Sequence, residues 1–414
     1  MRKLAWLAWS SIVAVALASR VAYAEERLTV ERAIELALTN NVDLAVLQSD
    51  ARAAEARLVG ASLLLRSNPQ LSGSFGVRWQ AQGRLPEYDA ELTQELEVLG
   101  QRGARIDVAR AAVETVEARF HARRVEVAAE VRQAFARALA ADQLALIARE
   151  NVELARETAS AAAKRFEVGD GSRIEVNTAN IEVGRAAREQ SLAVRQSAGA
   201  MAALRTLLGL DPMIDVRLDG ELQASSSAVA ELGPLVQRAS EGRADLLAAR
   251  RAVDGARALS AFEGRDWLPR PRIGARYQQE EGESVALATL SFDLPFINRN
   301  QEGRGVAAAL LTQAERVLEA TERRVGQEVT LAASNLRAAQ ETVKAFEGVV
   351  NEAARENLTL VNTAYVAGKV DLVELLVIRR NALEARRNYV EALEALRVAE
   401  AELGRAVGSA RGLP

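Results

Sequence analysis

The amino-acid sequence predicts a mainly α-helical chain with a small β part, assembled from two tandem copies of one unit. Three observations carry that expectation. Apolar residues make up 49% of the 414 residues but aromatics only 4%, and alanine, leucine and valine fill most of the difference. Alanine-rich, charged, aromatic-poor chains suit long helices packed side by side. The eight prolines stand at 69, 86, 212, 234, 269, 271, 295 and 414, leaving 87–211 and 296–413 free of the residue that breaks helices. The halves also match each other. Asp43 and Leu44 correspond to Asp245 and Leu246, and Asn68-Pro69-Gln70-Leu71 to Arg270-Pro271-Arg272-Ile273, at an offset of 202. Arg105 then matches Arg304, Phe166 matches Tyr365, Gly169 matches Gly368, Glu175 matches Glu374 and Gly209 matches Gly408, all at 199. The offset changes once, so one half has a hairpin three residues shorter, as a tandem duplication would leave it.

From the N-terminus, residues 1–24 read as a signal peptide. Arg2 and Lys3 give a basic start, residues 4–17 an apolar run, and Ala22-Tyr23-Ala24 the small residues that a signal peptidase reads. A membrane anchor is the competing reading, but the run is shorter than the roughly 20 residues a spanning helix needs. Cleavage would remove Arg2, Lys3 and Arg20 and no acid, taking the formal net charge from −3 to −6. That balance gives no electrostatic case for nucleic acid. There is no cysteine, hence no disulfide framework, thiolate metal site or lipidated cysteine. For an exported chain this suggests a Gram-negative periplasm or outer membrane. No later segment reaches the roughly 18 consecutive apolar residues of a membrane helix.

The first repeat is assigned to 25–211, a linker to 212–232, the second repeat to 233–409 and a tail to 410–414. Each repeat reads as helix, strand, strand, long helix, turn, helix. The first has a hairpin at about 69–98, a long helix at about 101–167, a tip turn at 168–172 and a helix at 173–209. The second has a hairpin at about 271–295, a long helix at about 302–366, a tip turn at 367–371 and a helix at 372–408. Ile106, Ala109, Val113, Val116 and Phe120 step by three and four. Val325, Val329, Ala332, Leu336, Ala339, Val343, Phe346, Val350 and Ala353 do the same. Such seams specify coiled-coil helices. The linker near 211–233, with Ser225-Ser226-Ser227, is expected to cross between the halves.

The strands follow the shared proline. Leu71, Gly73, Phe75, Val77 and Trp79 alternate with Ser72, Ser74, Gly76, Arg78 and Gln80; Tyr88, Ala90, Leu92, Leu96 and Val98 return against Asp89, Glu91, Thr93, Glu95 and Glu97. Ile273, Ala275 and Tyr277 go up in the second half, and Leu290, Phe292 and Leu294 come back. Period-two strands of about ten residues match the lipid-facing and lumen-facing sides of an outer-membrane barrel. Four strands cannot close a barrel, and lipid forbids open edges, so several copies must share one. Trp79 with Tyr88 near a hairpin tip, and Trp267 before the third strand, stand at the two heights where aromatic girdles form, and Tyr277 is a further candidate interface aromatic. A small soluble sheet capping a helical stalk is the alternative.

Val168-Gly169-Asp170-Gly171-Ser172-Arg173-Ile174-Glu175-Val176 and Ala367-Gly368-Lys369-Val370-Asp371-Leu372-Val373-Glu374-Leu375 resemble the paired periplasmic tip turns of TolC-family outer-membrane factors. So do the duplication, the helix ending Leu207-Leu208-Gly209-Leu210 and the start Leu28-Thr29-Val30-Glu31-Arg32-Ala33. Leu294-Pro295-Phe296-Ile297-Asn298-Arg299-Asn300-Gln301 is similar to the heavy-metal (CzcC-like) branch. The resemblance implies a homotrimer with a shared 12-stranded transmembrane β-barrel and an α-helical coiled-coil tunnel in the periplasm. It implies a periplasmic membrane-fusion adaptor and an inner-membrane transporter of the resistance-nodulation-division class as partners, alongside outer-membrane lipid. The tips Val168, Gly169, Asp170, Gly171 and Ser172, and Ala367, Gly368, Lys369, Val370 and Asp371, would dock the adaptor. Glu175, Tyr365, Glu374 and Val377 would stand at the aperture. The family's acidic pair matches Glu374 but falls on Val377 at its second position, and its basic partner near Tyr365 falls on Val370, with Lys369 beside it.

The same residues also have a local reading. Gly169 and Gly368 can end helices in a left-handed turn, and Ser172 or Asp371 can cap the next helix in a capping box with Glu175 or Glu374. His121, the only histidine, sits among Arg119, Arg123 and Arg124 and reads as a solvated helix face, since a zinc or copper site needs several such ligands. Glu384 and Arg387 are expected to pair on a helix face. No phosphate loop, nucleophile motif or catalytic constellation is present, so neither catalysis nor a cofactor or resident metal is expected. The function expected is a passive outer-membrane channel of a tripartite efflux system. A soluble periplasmic coiled-coil scaffold is the rival.

Overall fold

A computed structural model describes residues 27–81, 83–211, 216–224, 230–347 and 349–409. The expected signal peptide, the linker serines 225–227 and the tail lie outside the described residues. The elements run β1 (Arg27–Leu28), α1 (Val30–Asn40), α2 (Val42–Ser62), β2 (Gln70–Gln80), β3 (Gly83–Glu95), α3 (Gln101–Glu167), α4 (Arg173–Leu208), β4 (Arg217–Leu218), α5 (Leu232–Gly242) and α6 (Ala244–Asp266). They continue with β5 (Arg272–Glu280), β6 (Glu283–Ser291), α7 (Gln301–Phe346), α8 (Val349–Val366) and α9 (Leu372–Ala406). The 67 residues of α3 form one unbroken helix, about 100 Å long at 1.5 Å per residue.

The structure corrects three details of the expected element order. The helix before each hairpin is two helices, broken at Asn41 and at Arg243, which adopt extended backbone with ψ of 126°. Each break receives a glycine from the end of its own repeat. A Cβ on Gly209 would lie 2.9 Å from the Asn40 carbonyl oxygen, and one on Gly408 would lie 3.1 Å from the Gly242 oxygen. The expected helix at 302–366 is divided into α7, which ends at Phe346, and α8, which begins at Val349. The strands are also shorter than expected. β3 stops at Glu95, before Leu96 and Val98, and β6 stops at Ser291, before Phe292 and Leu294.

The described residues pack as two compact units, each drawing on both repeats. One holds β1, α1, α4, β4 and α8 with 127–167, 336–346 and α9 to residue 401; the other holds α2, the four strands β2, β3, β5 and β6, α5 and α6 with 101–126, 301–335 and the chain from 402. In the first unit β1 and β4 form a short parallel pair. Its interior buries Val127, Val131 and Phe135 of α3, Leu204 and Leu208 of α4, and Leu393 and Leu396 of α9.

The second unit buries Leu44, Leu246, Val253, Val325, Val329 and Leu403. Of the expected α3 seam, Ile106, Ala109, Val113, Val116 and Phe120 are only half-buried, while Ala104 and Ala118 are buried. Arg243, only 6% exposed at its side chain, donates to Asp245 at 2.6 Å, Glu328 at 2.8 Å and the Ala406 carbonyl at 3.2 Å. That guanidinium ties α6, α7 and the end of α9 together, and a cation so deeply buried needs such partners. The sheet of this unit is antiparallel in the order β2-β3-β5-β6, with β2 and β6 as its edges.

Candidate functional site

Two sites stand out, one in each unit. In the first unit, both tip turns are built by the same local chemistry. Gly169 has φ of +80° and Gly368 has φ of +68°, the left-handed conformation that glycine enters without strain. Around each, the carbonyls left open by the helix end are taken up in a Schellman motif. Gly169 N–H donates to Phe166 at 3.1 Å and Asp170 N–H to Arg165 at 2.8 Å; Gly368 donates to Tyr365 at 3.0 Å and Lys369 to Ala364 at 2.9 Å. Ser172 Oγ accepts from the Glu175 N–H at 3.2 Å, and Asp371 Oδ1 from the Glu374 N–H at 2.8 Å, which caps the following helices. The reciprocal half of the capping box does not form at Glu175, whose Oε2 is buried without a hydrogen-bond partner.

Val168, Asp170, Lys369, Val366, Val373, Val377 and Glu374 are exposed, while Tyr365, Leu372 and Leu375 are buried with Ala162 and Ala179. A Cβ on Gly368 would come 4.0 Å from Asp170 Oδ2, so the two tips adjoin. Arg165 links them. Its Nε donates to Asp170 Oδ2 and its Nη2 to the Asp170 carbonyl, each at 3.2 Å, and its guanidinium lies 5.3 Å from the Tyr365 ring centre. The base beside Tyr365 therefore comes from the first repeat and not from position 370, a pairing that spacing along the sequence does not reveal. Burial, and after it the charge of Glu175, pushes the Tyr365 hydroxyl up from its ordinary pKa, against the pull of Arg165.

Farther along α9, a groove of about 630 Å³ runs between α4 and α9. Here Arg387 pairs with Glu189 of α4 at 3.0 Å, and Arg386 with Glu150 of α3 at 2.8 Å. The expected pairing of Arg387 with Glu384 gives way because a carboxylate from the neighbouring helix lies within direct reach. Arg379, also in this groove, is buried and donates to Thr158 Oγ1 at 3.2 Å. Burial lowers its pKa, against the charge of Glu182.

The second site is the sheet. Its register places Leu71 opposite Leu92, Phe75 opposite Tyr88, Ala90 opposite Tyr277, Ala275 opposite Ala288 and Ile273 opposite Leu290 on one face. That face is apolar and bare, with Phe75 77% and Leu290 66% exposed. The other face is ionic over β2, β3 and β5, while β6 adds the exposed Val285 and Leu287 to it. Arg78 meets Glu87, Glu280 at 2.9 Å and Glu281 at 2.7 Å; Arg276 meets Asp89 at 3.7 Å; Thr289 donates to Glu91 at 3.1 Å. Tyr88 and Tyr277 stand 6.3 Å apart between ring centres, and the Tyr277 hydroxyl donates to Ser284. Arg84 covers the Trp79 ring at 3.8 Å, and Trp267 caps the end of α6. A bare apolar face backed by a largely ionic face is the arrangement of a strand between lipid and water. Among the described residues no helix is long and apolar enough to cross a membrane, and no three His, Cys, Asp or Glu residues are placed to hold a metal ion. His121 is exposed beside Phe120.

Residues 33–210 and 235–409, one stretch in each repeat, match the family described as Outer membrane efflux protein. The chain belongs to the outer membrane efflux protein family. Its similarity to the cobalt-zinc-cadmium resistance protein CzcC of Cupriavidus metallidurans is 24% identity over 368 residues, covering 88% of this chain and 86% of that one. The nickel-cobalt-cadmium resistance protein NccC of Alcaligenes xylosoxydans xylosoxydans is 29% identical over 233 residues, 55% of this chain and 52% of that one. The Campylobacter jejuni CmeC outer membrane channel superposes with a TM-score of 0.77 at 15% identity, over 92% of this chain and 85% of that one. The fold of this outer membrane efflux protein is thus the TolC-like fold of outer-membrane channels, with the family's helical scaffold present twice.

Proposed function

We propose that this outer membrane efflux protein is the passive duct of a tripartite exporter. Three copies pool their four strands into one 12-stranded barrel, and their long helices form a periplasmic tunnel. The observation that carries this reading is the four-stranded sheet with one bare apolar face, one largely ionic face and, among the described residues, two unpaired edges. Such a sheet is unstable in water and incomplete in lipid until other copies close it. A soluble scaffold would have no use for the apolar face.

At the other site the capped, rigid tips at 168–172 and 367–371 suit docking of a periplasmic adaptor, which hands over cargo from an inner-membrane pump of the resistance-nodulation-division class. Glu175, Tyr365, Glu374 and Val377 stand by the aperture, with Arg165 added to them. The names of the two resistance relatives favour divalent heavy-metal cations as cargo. The cargo enters the lumen as substrate and not as a resident ion.

The test is metal accumulation in a strain lacking this chain. Cells challenged with cobalt, zinc or cadmium should accumulate the ion and be rescued by the intact chain, but not by Gly368→Trp. Unchanged accumulation of all three ions would remove the metal cargo.

A further inference from the structure

The exposed apolar surface of the second unit does not end with the strands. Leu63, Leu64 and Leu65 precede β2, and Phe292, Leu294, Phe296 and Ile297 follow β6; Leu64 is 76%, Phe296 74% and Ile297 91% exposed. Isolated surface leucines need no explanation, but two such runs at one end of a sheet do. Both runs are held from behind. The Leu63 carbonyl accepts from Arg102 Nε at 3.2 Å and Arg105 Nη2 at 3.3 Å, and the Ile297 carbonyl accepts from Gln301 Nε2 at 3.0 Å. Asn300 then anchors its loop to α6 by donating to the Glu263 carbonyl at 3.1 Å. Fixed backbones with bare side chains are the preorganised halves of a contact.

The sheet order tells what meets them. Among the described residues β2 and β6 are the two unpaired edges, and every neighbouring pair in the sheet is antiparallel. Extending that alternation to a second copy sets β6 of one chain beside β2 of the next, running oppositely. The end of β6 and the start of β2 then lie at the same foot of the sheet. Leu64 stands six residues before Gln70 and Ile297 six after Ser291, so the two runs reach similar depths. We infer that Leu63, Leu64 and Leu65 of one copy pack against Phe296 and Ile297 of the next, forming an apolar seam that fastens the shared barrel at its foot. Phe292 and Leu294 lie past the end of β6, between it and Phe296, and are exposed as well. The seam rests on the shared-barrel reading and adds to it the residues by which one copy selects another.

The chain has no cysteine, so paired cysteines can be introduced on an empty background. Trimers carrying Leu64→Cys together with Ile297→Cys, or Leu64→Cys with Phe296→Cys, would be oxidised in detergent, and in parallel treated with a bismaleimide to absorb a register offset. At least one pair should give covalent dimers and trimers on a denaturing gel, and each single-cysteine variant should give no trimer. Native mass of the same samples separates two failures. An intact trimer that no reagent cross-links in either pair overturns the seam and leaves the duct standing. A protein that is never trimeric overturns both. A fluorophore on Leu64→Cys quenched by nitroxide-bearing lipid in the intact trimer would assign the run to lipid and also overturn the seam.

Discussion

The guanidinium of Arg165 lies 5.3 Å from the centre of the Tyr365 ring, so a cation of the first repeat sits over the one aromatic of the second tip. The Tyr365 hydroxyl is buried, with the Arg165 guanidinium near it but outside good hydrogen-bond geometry, and the ring beneath it packs in the tip core. A buried hydroxyl that makes no bond carries a desolvation cost and no return. Tyr365→Phe should therefore change stability by no more than about 1 kcal/mol, or raise it, whereas Tyr365→Ala should cost about 3–5 kcal/mol through the cavity it leaves. Chemical denaturation followed by circular dichroism reads both. A Phe variant as damaged as the Ala variant would mean that the hydroxyl is bonded in the native protein.

The glycines separate backbone strain from steric clash. Gly169 has φ of +80° with open space where a methyl would stand, while Gly209 has φ of +64° and a Cβ there would lie 2.9 Å from the Asn40 oxygen and Cβ. Gly169→Ala should cost only the left-handed penalty of about 1–2 kcal/mol. Gly209→Ala should cost clearly more, because α1 must move as well. Equal midpoint shifts for the two variants would contradict this packing of the helix ends.

Arg243 makes a prediction about pH. Burial raises the pKa of Asp245, but the hydrogen bond and charge of Arg243 outweigh it and hold the carboxyl below its ordinary value of 3.8. A depressed carboxylate stabilises the fold above its unfolded pKa, and the contribution fades as pH falls through the folded value. The acid-induced loss of stability below about pH 4 should shrink in Asp245→Asn, as thermal melts across pH 3–7 would show. Arg243→Ala should cost about 2–4 kcal/mol at neutral pH, because it removes the buried cation and leaves Asp245 and Glu328 only the looser pairs with Arg324 and Arg405 at 3.5–3.6 Å. Arg250→Ala, on an exposed face, should stay within about 0.5 kcal/mol.

Glu394 has the opposite sign. Burial, reinforced by Glu391 and opposed by Arg137, raises its pKa above 4.5. The folded state then favours the neutral form, so this carboxylate weakens the fold at pH 7 and ceases to do so as pH falls towards the unfolded pKa. Glu394→Gln should raise the melting temperature at pH 7, and the gain should vanish near pH 4. A lowered melting temperature at pH 7 would refute the assignment.

Local pattern made much of this fold legible in the sequence. The proline-free stretch gave α3 from Gln101 to Glu167, and period-two alternation named the apolar face from Leu71 to Trp79. The left-handed helix ends at Gly169 and Gly368 are legible from glycine chemistry. Features that depend on distant partners stayed hidden. Asn41 and Arg243 break helices where glycines far along the chain, Gly209 and Gly408, come to rest. Arg387 turns to Glu189, not Glu384, because α4 is beside it. Arg165 carries no mark of its role, since its counterpart at the 199 offset is Ala364. The tip residues stand out in the sequence by family resemblance, and the bonds that hold them are visible only in three dimensions.

Whether several copies share one barrel in the outer membrane is decided by envelope fractionation, followed by native mass measurement of the detergent-extracted protein. A shared barrel predicts outer-membrane sedimentation, release only by detergent, and a mass three times that of one chain. A monomer or dimer set free in soluble form by osmotic shock would contradict it, because the bare face of the sheet would then have to tolerate water.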